Sequence, residues 1–171
     1  MYYPLREVRI LSGSHGNTFG WVRKYSDGSP KAHQGWDFQA RNDSPLYAVC
    51  DGEVVHYDKT DNTSYGKSLL IRLDYWGESL YAFYAHINSS IVGKYDWVSA
   101  GQLIGYSGST GNAKGSSANA QHLHFEFRNK SQCGKGLNGR IDPQRFYGPP
   151  PYSWFTTSEP VYYDWLYGEA A

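Results

Sequence analysis

Residues 121–127, with the sequence Gln-His-Leu-His-Phe-Glu-Phe, constrain what this chain can fold into more than any other stretch. Side chains alternate between the two faces of a β-strand, so a strand here would place three polar residues on one face and three apolar residues on the other. The polar set is His122, His124 and Glu126, and the apolar set is Leu123, Phe125 and Phe127. This pattern predicts a strand with its apolar face in a core and its polar face in a cleft. Two histidines on one face can serve a metal ion or a reacting group, since imidazole is the commonest metal ligand, or they can simply face solvent.

The rest of the composition is typical of a β-rich globular domain. A chain of 171 residues fits one domain that buries a substantial core. Aromatic residues make up 17% of the chain and there are 19 glycines, as expected for strands joined by many turns. Strands are predicted over residues 5–11, 46–49, 53–57, 68–75 and 80–86, in addition to 121–127.

Charge and hydropathy exclude two classes of protein. Lys plus Arg and Asp plus Glu both number 16, so the net charge is zero, which argues against nucleic-acid binding through a basic surface. No apolar run approaches the ~20 residues that a membrane-spanning helix needs. Residues 1–6 are not typical of a signal peptide, because no charged segment is followed by an apolar one. We interpret this as a signal removed before this numbering, or as delivery by another route.

Two cysteines, Cys50 and Cys133, lie far apart, and neither belongs to a Cys-x-x-Cys motif. This spacing excludes a zinc site built from thiolates and a thioredoxin-like redox motif. Whether the two cysteines form a disulfide stays open, because sequence separation does not give spatial distance.

Further polar residues with the chemistry of metal ligands occur upstream of the opening strand. His33 and Asp37 flank Gly35, and a bend at this glycine could aim both side chains at one point. His86 ends the predicted strand 80–86, where it either makes one structural hydrogen bond or adds a third imidazole to the cleft. The two other histidines, His15 and His56, are interpreted as facing solvent.

These residues supply what a catalytic zinc site needs. Such a site uses three nitrogen or oxygen ligands from the protein and leaves one position for water, which then ionises near pH 7. Two histidines and a carboxylate meet that need, and the remaining histidines could deprotonate the water or stabilise an oxyanion. A Ser-His-Asp triad is disfavoured because no Gly-x-Ser-x-Gly motif is present. The glycine-rich stretch at 108–111 lacks the Gly-Lys-Ser/Thr ending of a phosphate-binding loop.

Nine short motifs, in a fixed order, indicate a family. They are Gly20–Arg23 (GWVR), His33–Asp37 (HQGWD), Pro45–Ala48 (PLYA), Asp51–Val55 (DGEVV), Tyr84–His86 (YAH), Gly101–Gly105 (GQLIG), Gly108–Gly111 (GSTG), His122–Glu126 (HLHFE) and Asp142–Pro143 (DP). Over residues 19–147 the chain resembles the lysostaphin/LytM type of zinc metallopeptidase. The resemblance implies an all-β, antiparallel fold with few or no helices and a groove floored by a sheet.

The resemblance also implies the roles of the polar residues. Zinc would be held by His33, Asp37 and His124. His122 and His86 would be the catalytic histidines, which position and deprotonate the water and stabilise the transition state.

A tyrosine shortly before the first zinc ligand helps bind the oxyanion in some members of the family. Tyr25 is the residue that could match it in this chain, although the turn between them is longer here.

The implied substrate is bacterial peptidoglycan, cut in its peptide stems or cross-bridges outside the cytoplasm. One alternative is a catalytically inactive domain of the same fold that binds the cell wall and activates another wall hydrolase. Another is a zinc peptidase that acts on a glycine-rich protein. The loop 112–121 is longer than the family's usual short run, and Gln121 replaces its common proline, so the choice of substrate cannot be carried over.

Residues 1–147 are predicted to form the metallopeptidase domain and residues 148–171 a proline- and aromatic-rich tail. The tail begins Pro-Pro-Pro and contains no Lys or Arg after Gly148. It is expected to pack over the domain, with docking of a partner or covering of the cleft as the alternatives. A monomer is expected.

Overall fold

The structure is a computed structural model that describes residues 1–161, 163–164 and 169–170. Within these residues the chain forms sixteen mostly short strands, which are β1 (Glu7–Val8), β2 (Gly20–Lys24), β3 (Pro30–His33), β4 (Trp36–Gln39), β5 (Pro45–Tyr47), β6 (Gly52–Asp58), β7 (Ser68–Tyr75), β8 (Glu78–Ala85), β9 (Ile87–Ser90), β10 (Trp97–Val98), β11 (Leu103–Ser107), β12 (His122–Arg128), β13 (Arg140–Ile141), β14 (Phe155–Thr156), β15 (Tyr163–Asp164) and β16 (Glu169–Ala170). One short α-helix, α1 (Gln144–Tyr147), and single 3-10 turns at Leu11–Gly13, His15–Asn17 and Gly111–Ala113 complete the elements. The predicted all-β, antiparallel fold with few helices is confirmed.

The largest sheet has seven antiparallel strands in the order β10-β6-β7-β8-β12-β13, with β4 pairing along the first half of β12. Strand β12 is therefore hydrogen-bonded on both sides, to β8 and to β4. The register sets His124 opposite Asp37 on β4 and opposite Ala85 at the end of β8. A separate three-stranded sheet, β5-β11-β9, and a hairpin of β2 and β3 flank this sheet.

The apolar face of β12 lies in the core, as its alternation predicts. Leu123, Phe125 and Phe127 have no exposed surface. Phe125 meets Tyr84 edge to face at a centroid distance of 5.2 Å, and Phe127 packs on Phe146 of α1 at 4.4 Å. Each buried phenylalanine contributes about 1.5–3 kcal/mol to stability, which fixes the strand and hence the direction of its histidines.

The predicted strand over residues 5–11 is wrong in extent. Only Glu7 and Val8 pair as a strand, and Ile10 makes a single bridge to Phe38. The partner of Glu7 and Val8 is β14, more than 140 residues away, so local pattern could not set where the pairing ends.

The described part of the tail packs along the amino-terminal segment. Besides the β1–β14 pairing, the Ile10 amide donates to the Pro151 carbonyl at 2.7 Å, and the Val161 amide donates to the Met1 carbonyl at 2.7 Å. Tyr162, Trp165 and Tyr167, which belong to the predicted aromatic tail, lie outside the described residues. The division of the chain at residue 147 stays a prediction.

Cys50 and Cys133 are both half-buried and not bonded to each other. None of the helices in the described residues has the length and apolar character that a membrane crossing requires.

Candidate metal centre

Three buried side chains from three strands converge at one end of β12. His33 closes β3, Asp37 lies in β4 and His124 in β12. The Oδ1 atom of Asp37 is 2.7 Å from His124 Nδ1 and 3.1 Å from His33 Nε2, and the two nitrogens are 3.3 Å apart. All three residues are at most 5% exposed. Two imidazole nitrogens and one carboxylate oxygen thus face a common point.

The bend that joins His33 to Asp37 lies directly on β12. A Cβ atom at Gly35 would overlap the carbonyl group of Phe125. Only glycine allows this close backbone approach, and the approach carries both flanking side chains to His124. The bend predicted at Gly35 is therefore present, and its physical cause is contact with β12.

The orientation of His33 is fixed from behind. Its Nδ1 lies 2.8 Å from the carbonyl oxygen of Thr18, which can only accept, so Nδ1 carries the hydrogen. The lone pair of Nε2 is then directed at Asp37 and His124. Such a hydrogen bond to the second ring nitrogen is the usual way in which proteins hold a metal-binding histidine.

His124 is held from behind by a carboxylate, that of Glu126. Its Nε2 is 3.0 Å from Glu126 Oε1, and the same carboxylate accepts from the Tyr65 hydroxyl at 2.9 Å, Arg128 Nε at 2.7 Å and Arg140 Nε at 3.0 Å. Burial would raise the pKa of Glu126, but His124 and then Arg128 outweigh it and hold this pKa at about 2. Glu126 is therefore a fully buried anion beneath the imidazole.

The electrostatics of the centre favour a positive charge between the imidazoles. Burial alone would raise the pKa of Asp37, yet His33 and His124 keep it well below its usual value. Burial would lower the pKa of His124, but hydrogen bonds to Asp37 and Glu126 raise it to about 9. Arg23 also donates to Asp37 Oδ2 at 2.6 Å, which leaves Oδ1 directed at the two histidines. Two nitrogens, one carboxylate oxygen and a second buried carboxylate behind them suit a divalent ion such as zinc.

Two more histidines stand beside this cluster. His122 Nε2 is 3.9 Å from Asp37 Oδ1, and the rings of His122 and His86 are 4.9 Å apart. Their Nδ1 atoms point at backbone carbonyls, of Ala120 at 3.0 Å and Thr110 at 2.8 Å respectively. Each Nε2 is thereby left as the acceptor nitrogen.

His86 has two unusual properties. It occupies the bend between β8 and β9 with φ at +60°, a left-handed conformation that costs a non-glycine residue about 1–3 kcal/mol. Burial, together with His124 and His122, lowers its pKa to about 4, so its imidazole is neutral at pH 7. Strain of this kind is concentrated at functional sites.

The residues around the cluster form a groove of about 600 Å³. Six residues predicted from the sequence line it together, namely Tyr25, His33, Asp37, His86, His122 and His124. Tyr25 lies at the rim and is 54% exposed. His15 and His56 are exposed, as predicted.

The sequence prediction missed the supporting residues Glu126, Arg23 and Tyr65. Glu126 could have been found, since it shares the polar face of β12 with both histidines. Arg23 lies in a recognised motif, but nothing in the sequence shows that it reaches Asp37, and Tyr65 carries no signal.

A sheet-floored groove with two imidazoles and one carboxylate around a cation position is typical of metal-dependent hydrolases. The family model described as Peptidase family M23 matches residues 31–136, and the chain belongs to this family. The predicted resemblance to the lysostaphin/LytM type is confirmed.

Two curated relatives and one solved structure show the extent of the similarity. Lysostaphin from Staphylococcus staphylolyticus is 29% identical over 127 residues, covering 68% of this chain and 25% of that protein. The peptidoglycan DD-endopeptidase ShyA from Vibrio cholerae is 35% identical over 94 residues, covering 55% and 20% respectively. The structure of a zinc-containing peptidase from Vibrio cholerae superposes with a TM-score of 0.64 at 27% identity, covering 87% of this chain and 40% of that one. The chain spans less than a third of the length of the curated relatives it matches.

Proposed function

We propose that this chain is a zinc-dependent endopeptidase that hydrolyses peptide bonds in the stems or cross-bridges of bacterial peptidoglycan, outside the cytoplasm. The observation that carries the proposal is the buried convergence of His33, Asp37 and His124 beside two oriented histidines, in a chain of the M23 family. The substrate class is supported by relatives named as a peptidoglycan endopeptidase and as lysostaphin. The metal is supported by the similar structure described as zinc-containing.

The three ligands would be His33 through Nε2, Asp37 through its carboxylate and His124 through Nδ1. Zinc bound there supplies a Lewis acid that polarises a carbonyl group and lowers the pKa of water to near 7. The chain contributes a fixed donor geometry, because Thr18 orients His33, Glu126 orients His124 and Arg23 occupies the second oxygen of Asp37.

His122 and His86 would move the protons. Each has an acceptor Nε2 on the groove side, so either can take a proton from water and return it to the leaving amine. The depressed pKa of His86 keeps it neutral, which suits an acceptor. The Tyr25 hydroxyl, at the rim of the groove, would donate a hydrogen bond to the developing oxyanion.

The direct test is digestion of purified sacculi by wild-type protein, by protein treated with a chelator, and by chelated protein to which zinc is returned. We expect soluble fragments only from the first and third samples, and the masses of the fragments identify the scissile bond. Fragment release that is insensitive to the chelator would contradict the zinc mechanism. Cleavage of a glycine-rich protein but not of sacculi would contradict the substrate class. The inactive wall-binding alternative is not favoured, because all five residues of the centre retain metal-binding or acid–base side chains.

A further inference from the structure

A second groove, larger than that of the metal centre, lies on the face that carries the amino-terminal segment. It has a volume of about 790 Å³. Its walls include Leu5, Arg6, Glu7 and Arg9, residues 39–41 and Trp154 of the tail. The residues from the amino-terminal segment and Trp154 lie outside residues 31–136, the part of the chain that the family model matches.

Arginine dominates the charge of this groove. The chain has eight arginines, and five of them pair with carboxylates in the structure, namely Arg23, Arg72, Arg128, Arg140 and Arg145. The other three, Arg6, Arg9 and Arg41, all line the groove, and none has a carboxylate within 4 Å in the described part of the chain. We call this the arginine groove. The net charge of the chain is zero, yet the three arginines that have no carboxylate partner among the described residues all lie in one concavity.

Two of the guanidinium groups are held in place by contacts with aromatic rings and a backbone carbonyl. Arg6 lies over the ring of Tyr47 at 4.3 Å, and Arg9 lies over the ring of Trp154 at 5.8 Å. Arg9 also donates Nε to the carbonyl of Tyr152 at 3.3 Å. Stacking on aromatic rings orients a guanidinium while its remaining N–H groups stay available for a planar anion such as a carboxylate.

The arginine groove adjoins the metal centre. Gln39 lines the arginine groove and pairs with His122 in the β4–β12 register. Its side chain donates to the Asn119 carbonyl at 3.0 Å and accepts from the Ser12 amide at 3.2 Å. The loop that contains Asn119 contributes residues to both grooves. One extended ligand could therefore contact both.

We propose that the arginine groove binds carboxylate groups of the substrate peptide next to the bond that is cut, and so selects acidic peptides. This inference rests on the proposed function for the identity of the ligand. Glu7, which is exposed, also lines the groove, so the three arginines and this carboxylate give the lining a net charge of +2, enough for a peptide with two free carboxylates. Bidentate guanidinium–carboxylate contacts supply the selectivity.

The test is direct binding, measured by fluorescence anisotropy with a labelled peptidoglycan stem tetrapeptide and with the same peptide after amidation of its carboxylates. The full chain carrying His122→Ala serves as the receptor, so that the probe is not consumed. We expect amidation to weaken binding about tenfold, and Arg6→Gln or Arg41→Gln to weaken binding of the acidic probe by a similar factor with little effect on the amidated probe. Arg145→Gln, which removes a guanidinium paired with exposed Glu78, is the matched control and should change neither.

Equal binding of the two probes, or an equal loss of both in the arginine variants, would overturn the inference. Inorganic polyphosphate that binds the groove more tightly than the acidic peptide would assign it to a phosphate polymer and also overturn the inference. Carboxylate-selective binding through the arginines in a protein that does not digest sacculi would uphold the groove and contradict only the proposed function.

Discussion

Replacing Glu126 with glutamine tests how much the carboxylate behind His124 contributes to metal binding while all three proposed ligands stay in place. The Glu126 side chain contacts His124 at Nε2, whereas the proposed metal-binding atom of His124 is Nδ1, which faces Asp37. Glutamine keeps the volume and one acceptor oxygen but removes the negative charge. Loss of a carboxylate that orients a metal-binding histidine lowers metal affinity about 10–100-fold, or about 1.4–2.8 kcal/mol.

The same change also leaves two buried guanidinium groups without their anion. Arg128 and Arg140 have side chains that are 8% and 7% exposed, and both donate to Glu126 Oε2. Removal of one partner from a buried ion pair costs about 3–5 kcal/mol. A domain with about 10 kcal/mol of stability, the middle of the usual range, would keep about 5–7 kcal/mol and stay folded at 25 °C, so zinc affinity can still be measured.

The assays are a zinc titration against a competing chelator and urea unfolding followed by tryptophan fluorescence. Glu53→Gln is the matched control, because Glu53 forms an exposed ion pair with Arg72 and its loss should cost at most about 1 kcal/mol. Wild-type zinc affinity in Glu126→Gln would refute the idea that Glu126 positions His124. Equal destabilisation by both variants would refute the assignment of Glu126 to a buried network.

Four further substitutions test the centre. His124→Ala should abolish stoichiometric zinc binding, because the two remaining ligands hold zinc poorly. His122→Ala should keep zinc and lose sacculus digestion. The reverse result in metal analysis would show that the roles of His122 and His124 are assigned the wrong way round. Gly35→Ala should lower both stability and zinc content, because its Cβ would push the bend off β12, while Gly16→Ala, which meets only an ordinary 3.7 Å contact, should leave zinc content unchanged. Tyr25→Phe should lower kcat about tenfold or more with little change in KM if its hydroxyl binds the oxyanion, and an unchanged kcat would remove it from the mechanism.

The alternation of polar and apolar residues along β12 was enough to predict the strand, its buried apolar face and the common face of His122 and His124. The bend at Gly35 was also predicted, because a glycine between two potential ligands allows a bend that could aim both side chains at one point. The strand and its alternation are local features, whereas the cause of the bend is the contact of Gly35 with β12, which is distant in sequence.

The features that could not be predicted from the sequence depend on contacts between distant segments. The polar face of β12 was expected to line an open cleft, yet Glu126 is fully buried, because Tyr65, Arg128 and Arg140 close over it. The pairing of β1 with β14 and the gathering of three arginines on one face likewise depend on where distant segments meet. The residue pattern of 5–11 and of 149–161 does not show which distant segment each of them contacts.

The central claim is that His33, Asp37 and His124 hold the metal while His122 and His86 stand beside it. Anomalous diffraction at the zinc edge, from crystals of the zinc-loaded protein, tests it most directly. We expect one peak about 2.0–2.2 Å from His33 Nε2, a carboxylate oxygen of Asp37 and His124 Nδ1, with the nitrogens of His122 and His86 beyond coordination distance. A peak coordinated by His122 in place of His124, or no peak among these residues, would contradict the account.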